Sequence, residues 1–318
     1  MKLNQAIDQA PSRDAFLTDV WNGLSCPQQK TLPCKWLYDA LGSRLFDAIT
    51  ALDEYYPTRT ETALLGDIAP EIAKIAGVHA RIVELGSGAG VKVRLLLDAL
   101  ERPSAYVAVD ISETALRDAT RALANERTDL RIVPVLADYT RPFALPSLEG
   151  WGNTLGFFPG STIGNFAPAQ AIAFLTQLRR QLGNNAFLLI GVDLKKDRDV
   201  LERAYDDVLG VTAAFNLNLL ARINRELSAD FDVRQFAHKS IWNEAQGRIE
   251  MHLVSTVAQT VTIDGRAFEF RAGETIHTEN SYKYGIDQFQ RMAASAGWQA
   301  RAAWTDGADL FSLHLLQA

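Results

Sequence analysis

Only two cysteines, three methionines and five histidines occur in the 318 residues of this chain. Cys26 and Cys34 stand eight apart with no histidine beside them, which points to free thiols rather than a disulfide or a zinc pair. No Cys/His cluster has metal-ligand spacing, and no Ser-His-Asp or thiolate constellation is present, so neither a metal nor covalent catalysis is expected. No apolar run approaches the ~20 residues of a membrane-spanning helix. The first ten residues lack a secretory apolar core, so the default expectation is a cytoplasmic protein. Basic clusters are missing and the net charge is −6, which argues against nucleic acid as a partner. Internal repeats and low-complexity segments are missing too. What remains is 47 % hydrophobic and 22 % charged, a composition that supports a packed core in one large domain or two.

The most informative stretch is Glu84-Leu-Gly-Ser-Gly-Ala-Gly90. It ends an apolar run over 80–85 that reads as a buried strand and opens onto 91–100, where apolar residues fall at helical spacing. Glycines at 86, 88 and 90 let the backbone turn tightly and approach a ligand closely. Val91 stands where a dinucleotide fingerprint wants its third glycine, which disfavours a nicotinamide cofactor. Glu84, Asp110 and Asp138 lie at the ends of three successive strands. Such carboxylates suit a ligand with a cationic tail, a ribose diol and an amino-purine, as S-adenosylmethionine has. A generic glycine turn with surface acids is the plainer alternative.

From residue 80 the pattern alternates strand and helix, as a doubly wound parallel sheet requires. Strands are expected at 80–85, 105–110, 130–138, 153–158 and 186–193, with a helix over 168–182. The fourth strand runs into the loop Pro159-Gly-Ser-Thr-Ile-Gly-Asn165. Residues 1–60 read as mainly helical, and 196–247 as largely helical. A β-rich stretch follows from 248 to about 284, with Asp264-Gly265 as a hairpin signal. A helix over 285–296 and two terminal strands would complete the sheet. The expected fold class is α/β: a Rossmann-like S-adenosylmethionine methyltransferase domain with a second, discontinuous α+β substrate domain. The first would comprise 61–195 plus 286–318, the second 1–60 plus 196–285, with a cleft between them for a small substrate.

Several strings occur together in order. They include Lys35-Trp-Leu-Tyr-Asp39, Glu54-Tyr-Tyr-Pro-Thr-Arg59, the Gly86 loop, Gly160-Ser-Thr-Ile-Gly-Asn165, Ala204-Tyr-Asp-Asp207, Gly210-Val-Thr-Ala-Ala-Phe-Asn216, Arg248-Ile-Glu-Met251 and Thr278-Glu-x-Ser281. Over nearly the whole chain this set resembles the histidine Nα-methyltransferases of ergothioneine biosynthesis, which use S-adenosylmethionine to make hercynine. The wider family includes a fungal enzyme acting on a prenylated tryptophan. The resemblance implies that Asn165 and Tyr205 hold the substrate carboxylate. It implies that Glu279 and Ser281 bind the imidazole, with Tyr55 beside them and Met251 shaping that end of the pocket. Tyr38, Phe46 and the Gly160 carbonyl would surround the amine. Glu84 and Gly88 belong to the cofactor motif, and Gly86, Lys92, Asp110, Asp138 and Tyr139 would contact the cofactor. The chain departs from the family in its Gly88-Ala-Gly-Val-Lys92 loop, in His252, and in Asn280 and Tyr282 around Ser281.

Methyl transfer from a sulfonium to an amine is a direct displacement, so alignment is the main requirement. Repeated methylation ends in a fixed cation, which ring faces tolerate without demanding N–H donors. Tyr38, Phe46, Tyr55 and Tyr56 supply such rings, although each could equally pack the N-terminal helices. Glu279 can accept a ring N–H that an apolar pocket could not distinguish. Asn165 could be only a helix-start residue. The scattered histidines, His252 and His277 among them, read as surface or packing residues, and Asp206 and Asp207 as solvated acids or structural partners. The expected partner is a small amino acid, with histidine first and a tryptophan derivative as the alternative, and the expected state a monomer. A non-catalytic nucleoside-binding module and a dehydrogenase are the rivals from other classes.

Overall fold

The computed structural model describes residues 6–146 and 152–318. In chain order, β1 (Ile7–Gln9), α1 (Arg13–Leu24), β2 (Lys30–Thr31), α2 (Ala40–Thr50) and α3 (Tyr56–Ala76) come first. Then follow β3 (Arg81–Leu85), α4 (Val91–Ala99), β4 (Ala105–Asp110), α5 (Glu113–Glu126), β5 (Arg131–Ala137), β6 (Thr154–Phe158), α6 (Pro168–Leu182) and β7 (Phe187–Asp193). Next are α7 (Arg198–Tyr205), α8 (Val211–Leu227), β8 (Phe236–Asn243), β9 (Arg248–Ser255), β10 (Gln259–Ile263), β11 (Arg266–Phe270) and β12 (Thr275–Tyr282). The last are α9 (Ile286–Ser295), β13 (Gln299–Thr305) and β14 (Phe311–Gln317).

These elements form two units. The first takes the residues up to Ala10, Pro57–Lys195 and Tyr282–Ala318; the second takes Pro11–Tyr56 and Lys196–Ser281. The first unit holds an eight-stranded sheet in the order β1-β5-β4-β3-β6-β7-β14-β13. Strands β1 and β3–β7 run parallel, and β14 enters antiparallel beside β7. All six residues of β4 are buried, as expected of a strand covered on both faces. Side chains alternate between two cores. Val83, Leu85, Val107 and Val109 pack with Phe174 and Leu178 of α6 and Phe289 of α9. Ile82, Tyr106 and Ala108 pack with Leu65 and Ile72 of α3, Leu96 of α4 and Leu116 of α5. The chain builds outward from β3 to β4 and β5, then returns to β6 on the other side of β3. That reversal places the loops after β3 and β6 side by side at the carboxyl edge, where such sheets bind ligands.

The second unit contains α1, α2, α7 and α8, the sheet β2-β12-β9-β8, and the β10–β11 hairpin. Asp264 and Gly265 turn that hairpin with φ of +48° and +82°, the left-handed pair that two-residue turns require.

The observed path differs from the sequence reading at four places, the first being that residues 57–60 go with the first unit. Residues 6–10 do not join the other N-terminal residues, because β1 pairs with β5 through Ile7 opposite Val135. The rest of that reading for residues 1–5 and 147–151 lies outside the described residues. Residues 282–285 go with the first unit, where Tyr284 N–H donates to Asp193 O at 3.1 Å and Lys195 N–H to Tyr284 O at 3.3 Å. Residues 236–243, expected among helices, form β8 because they pair along their whole length with β9, from Phe236 opposite Ser255 to Asn243 opposite Arg248. That partner, distant in sequence, overrides local preference.

Candidate active site

In the first unit, Gly86, Gly88 and Gly90 adopt φ of +72°, +46° and +67°. Other residues rarely hold such angles, which explains the alternation of glycines. Gly86 N–H donates to Val109 O at 2.8 Å, and Gly90 N–H to Ser87 O at 2.9 Å. Asp110 ends β4 and grips the same loop: its Oδ2 accepts Gly88 N–H at 3.0 Å and its Oδ1 accepts Ser112 N–H at 2.9 Å. Burial pushes the Asp110 carboxyl up, partly offset by those N–H groups. Asp138, just past β5, accepts the backbone N–H of Thr140 at 3.0 Å and its hydroxyl as well. Tyr139 packs edge-on to Phe158, and a methyl added to Gly86 would lie 3.7 Å from its hydroxyl. Among the described residues, nothing lies within 4 Å of a methyl built onto Gly88. A ligand can therefore approach the backbone at that open face.

Glu84 is buried one residue before the end of β3 and accepts the Tyr106 hydroxyl. Burial pushes its carboxyl up to about 8, despite the Tyr106 hydrogen bond and the Lys92 ammonium, which favour the anion. Lys92, in the first turn of α4, pairs with Glu61 of α3, a residue fully shielded from solvent. Glu61 also accepts Gly160 N–H at 2.8 Å. Gly160 and Ser161 turn the loop after β6 with φ of +78° and +55°. Ser161 Oγ accepts Asp193 N–H at 2.9 Å, and half-buried Asn165 closes the single 3₁₀ turn that follows.

In the second unit the rings form one continuous wall. Tyr38 meets Phe46 edge-on with centroids 5.6 Å apart, Phe46 meets Tyr55 at 6.2 Å, and Tyr55 meets Tyr205 at 6.0 Å. Phe215 of α8 backs the wall, 5.5 Å from Tyr38 and 6.0 Å from Phe46. The Tyr205 hydroxyl then bonds Ser281 Oγ at 2.8 Å. Two residues expected at opposite ends of an amino acid thus touch each other. Ser281 and Glu279 sit two apart on β12, the spacing that sends side chains to one face of a strand. Met251 is buried in β9, and its carbonyl accepts the Thr278 hydroxyl at 3.0 Å.

Tyr56, expected among the rings, engages a cation of the chain itself: its hydroxyl accepts Lys196 Nζ at 2.7 Å, and that ammonium lies 4.5 Å from its ring centre. The histidines are not all scattered. His252 and His277 stack at 4.7 Å and 21°, and His277 Nε2 reaches Glu279 O at 3.0 Å. Burial pushes both imidazoles down, favouring their neutral forms. Glu250 lies 3.1 Å from His252. Burial alone would raise this carboxyl, but hydrogen bonds from Arg248, Asn243 and His252 hold it at about 2. Among the described residues, Glu250, His252 and His277 form the one group with metal-ligand spacing. Arg248 also pairs with Glu250, at 2.6 Å. The trio is a packed polar cluster. Asp207, read as solvated or structural, is structural: it caps α8 by accepting Val211 N–H and Thr212 N–H.

Two residues were missed. Glu61 shares the apolar stripe of α3 with Leu64, Leu65 and Ile68 at helical spacing, and an acid on such a stripe is a visible signal. Phe215 lies in the 210–216 string but was given no role, because it shares the buried face of α8 with Leu219, the ordinary pattern of a core residue.

The histidine-specific, S-adenosylmethionine-dependent methyltransferase family model matches residues 16–318. The chain belongs to that family. Its relatives include the histidine N-alpha-methyltransferase of Mycolicibacterium smegmatis, 44 % identical over 95 % of this chain and 94 % of that protein. The enzyme of the same name from Mycobacterium tuberculosis is 42 % identical over 95 % and 94 %. Ergothioneine biosynthesis protein 1 of Neurospora crassa is 31 % identical over 94 % of this chain and 34 % of that longer protein. For a histidine-specific methyltransferase the two residue groups divide naturally. The open glycine loop, Glu84, Asp110, Asp138 and Lys92 all lie in the first unit. The ring wall and the Glu279–Ser281 strand lie in the second.

Proposed function

We infer that this chain transfers methyl groups from S-adenosylmethionine to the α-amino nitrogen of L-histidine, three in turn, forming hercynine for ergothioneine biosynthesis. The observation that carries this reading is the ring wall from Tyr38 to Tyr205, ending in a hydroxyl bonded to Ser281 on the Glu279 strand. A row of ring faces accepts a nitrogen that grows bulkier and finally cationic. The strand beyond it supplies the acceptor and hydroxyl that a ring with N–H groups demands and an indole or phenyl ring uses less well.

When bound, the cofactor supplies an electrophilic methyl on a sulfonium. The chain's own residues do the rest. Asp110 and Asp138 would hold the ribose and purine side, and Glu84 and Lys92 the amino-acid tail. Asn165 and Tyr205 would hold the histidine carboxylate, and Glu279 and Ser281 its imidazole. The Gly160 carbonyl would accept from the amine, with Tyr38 and Phe46 enclosing it, and Tyr55 and Met251 would shape the ring end. The supporting facts are the buried acids of the first unit, the ring wall of the second, and the names of the relatives at 42–44 % identity. To test the reading, incubate the protein with labelled S-adenosylmethionine and each common amino acid, then follow gains of one, two and three methyls by mass. Histidine should be trimethylated first and fastest. Preferential labelling of tryptophan or any other amino acid would overturn the substrate.

A further inference from the structure

We propose that Glu61 is a positioning residue that locks the cofactor loop and the methyl-acceptor loop to each other, a proposal that rests on the reading above for what each loop holds. One oxygen of Glu61, Oε2, receives both donors: the Lys92 ammonium and Gly160 N–H. Lys92 is the second residue of the helix that follows the glycine loop, and Gly160 opens the loop after the neighbouring strand β6. A single buried atom thus spans the two loops that methyl transfer must hold in register.

The rest of the side chain is fitted to this task. Its other oxygen, Oε1, accepts no hydrogen bond from the described residues and lies against Gly191 of β7, where an added methyl would sit only 2.1 Å away. Glycine at 191 therefore leaves the space the carboxylate needs. The acceptor loop is pinned one residue later as well, by Ser161 Oγ and Asp193 N–H. Asp193 is itself fixed by Lys283 at 2.6 Å, with both side chains shielded from solvent. A fully buried acid is costly unless its partners are well placed. A glutamine of the same shape would still accept from Gly160 but would not hold an ammonium. Losing the lock leaves each loop able to shift alone, and displacements of about 1 Å cost in-line reactions roughly 100-fold.

The test uses the full chain with Glu61→Gln and, separately, Gly191→Ala, which keeps the charge but displaces it. S-adenosylhomocysteine titration counts competent sites in each preparation, so kcat is expressed per site. Amide exchange at 86–94 and 158–165 is read without any substrate. In both variants the two segments should gain exchange together, and kcat per site should fall about tenfold or more with the histidine KM within about threefold. Unchanged exchange in both loops, or a kcat per site within about twofold of the parent, would overturn the lock; a purely structural role would lower melting temperature and site count and leave kcat per site alone. If the parent binds S-adenosylhomocysteine but methylates no histidine, the functional reading falls, and the exchange measurement still decides whether Glu61 couples the loops. Should either variant fail to fold, the other carries both measurements.

Discussion

The glycine loop of the first unit and the ring wall of the second solve opposite problems. The loop is nine residues long from Glu84 to Lys92, and its shape is set by backbone: three left-handed glycines and N–H groups on Asp110. The wall gathers side chains from Tyr38 to Ser281, and its shape is set by ring contacts and one hydroxyl bond. A backbone site breaks when a φ angle or an anchoring acid is lost, whereas a side-chain site can change one contact and keep the others. The first should therefore fail wholesale and the second by degrees.

The sharpest break is expected at Gly86. Gly86→Val places a branched side chain at φ +72° and against Tyr139. The left-handed conformation alone costs roughly 1–2 kcal/mol. Calorimetry should show cofactor and S-adenosylhomocysteine binding lost, with histidine recognition in the second unit untouched. Retained cofactor binding would contradict the assignment of this loop.

Glu279→Leu should cost histidine turnover about 1–3 kcal/mol in kcat/KM, the range for an unpaired buried hydrogen-bonding group. The kcat/KM ratio of histidine to tryptophan should narrow while S-adenosylhomocysteine affinity stays constant. An unchanged ratio removes Glu279 from selectivity.

Glu84 carries a pH signature. Its carboxyl moves from the ordinary 4.5 up to about 8 on folding, so the folded chain binds the proton more tightly than the unfolded one. The stability this contributes is full below 4.5 and is lost as pH rises toward 8. Melting temperature of the ligand-free protein should fall across that window, and Glu84→Gln should flatten the fall. A steeper or identical slope in the variant would place the proton elsewhere.

The mildest effect belongs to Tyr205→Phe, which removes one hydroxyl bond to Ser281, worth about 0.5–1.5 kcal/mol. The histidine KM should rise a few-fold, with cofactor affinity unaltered. Loss of cofactor binding in the folded variant would reverse the assignment.

The same contrast explains what the sequence made legible. The parallel sheet, the glycine loop and the acids at its strand ends lie in short contiguous runs, where glycine spacing and apolar periodicity have a direct physical reading. Residues 236–243 were misread because their strand character comes from β9, not from their own propensity. Tyr38, Phe46 and Tyr55 were grouped as rings with Tyr56, while Tyr205 was expected only at the substrate carboxylate, since no local pattern says which rings meet. Phe215 stayed hidden for that reason: on α8 it is spaced like any core residue. Glu61 was legible in principle, because a charge on an apolar stripe calls for a buried partner, but that partner, Lys92, lies 31 positions away.

The position of β14 has a consequence for how the molecule is made. This strand covers one edge of β7, with Phe311 opposite Asp193 and Gln317 opposite Phe187, yet the whole excursion over 196–281 is synthesised between them. On the ribosome, β7 emerges as an apolar strand with a bare row of N–H and C=O groups and waits for its neighbour. Such an edge invites pairing with other chains, and long-range closure of this kind is slow. Overexpression at high temperature should therefore lose this protein to aggregates nucleated at 187–193, and slower translation or chaperone supply should recover it. The strand that guards the cofactor sheet arrives only after the whole of 196–281 has been made.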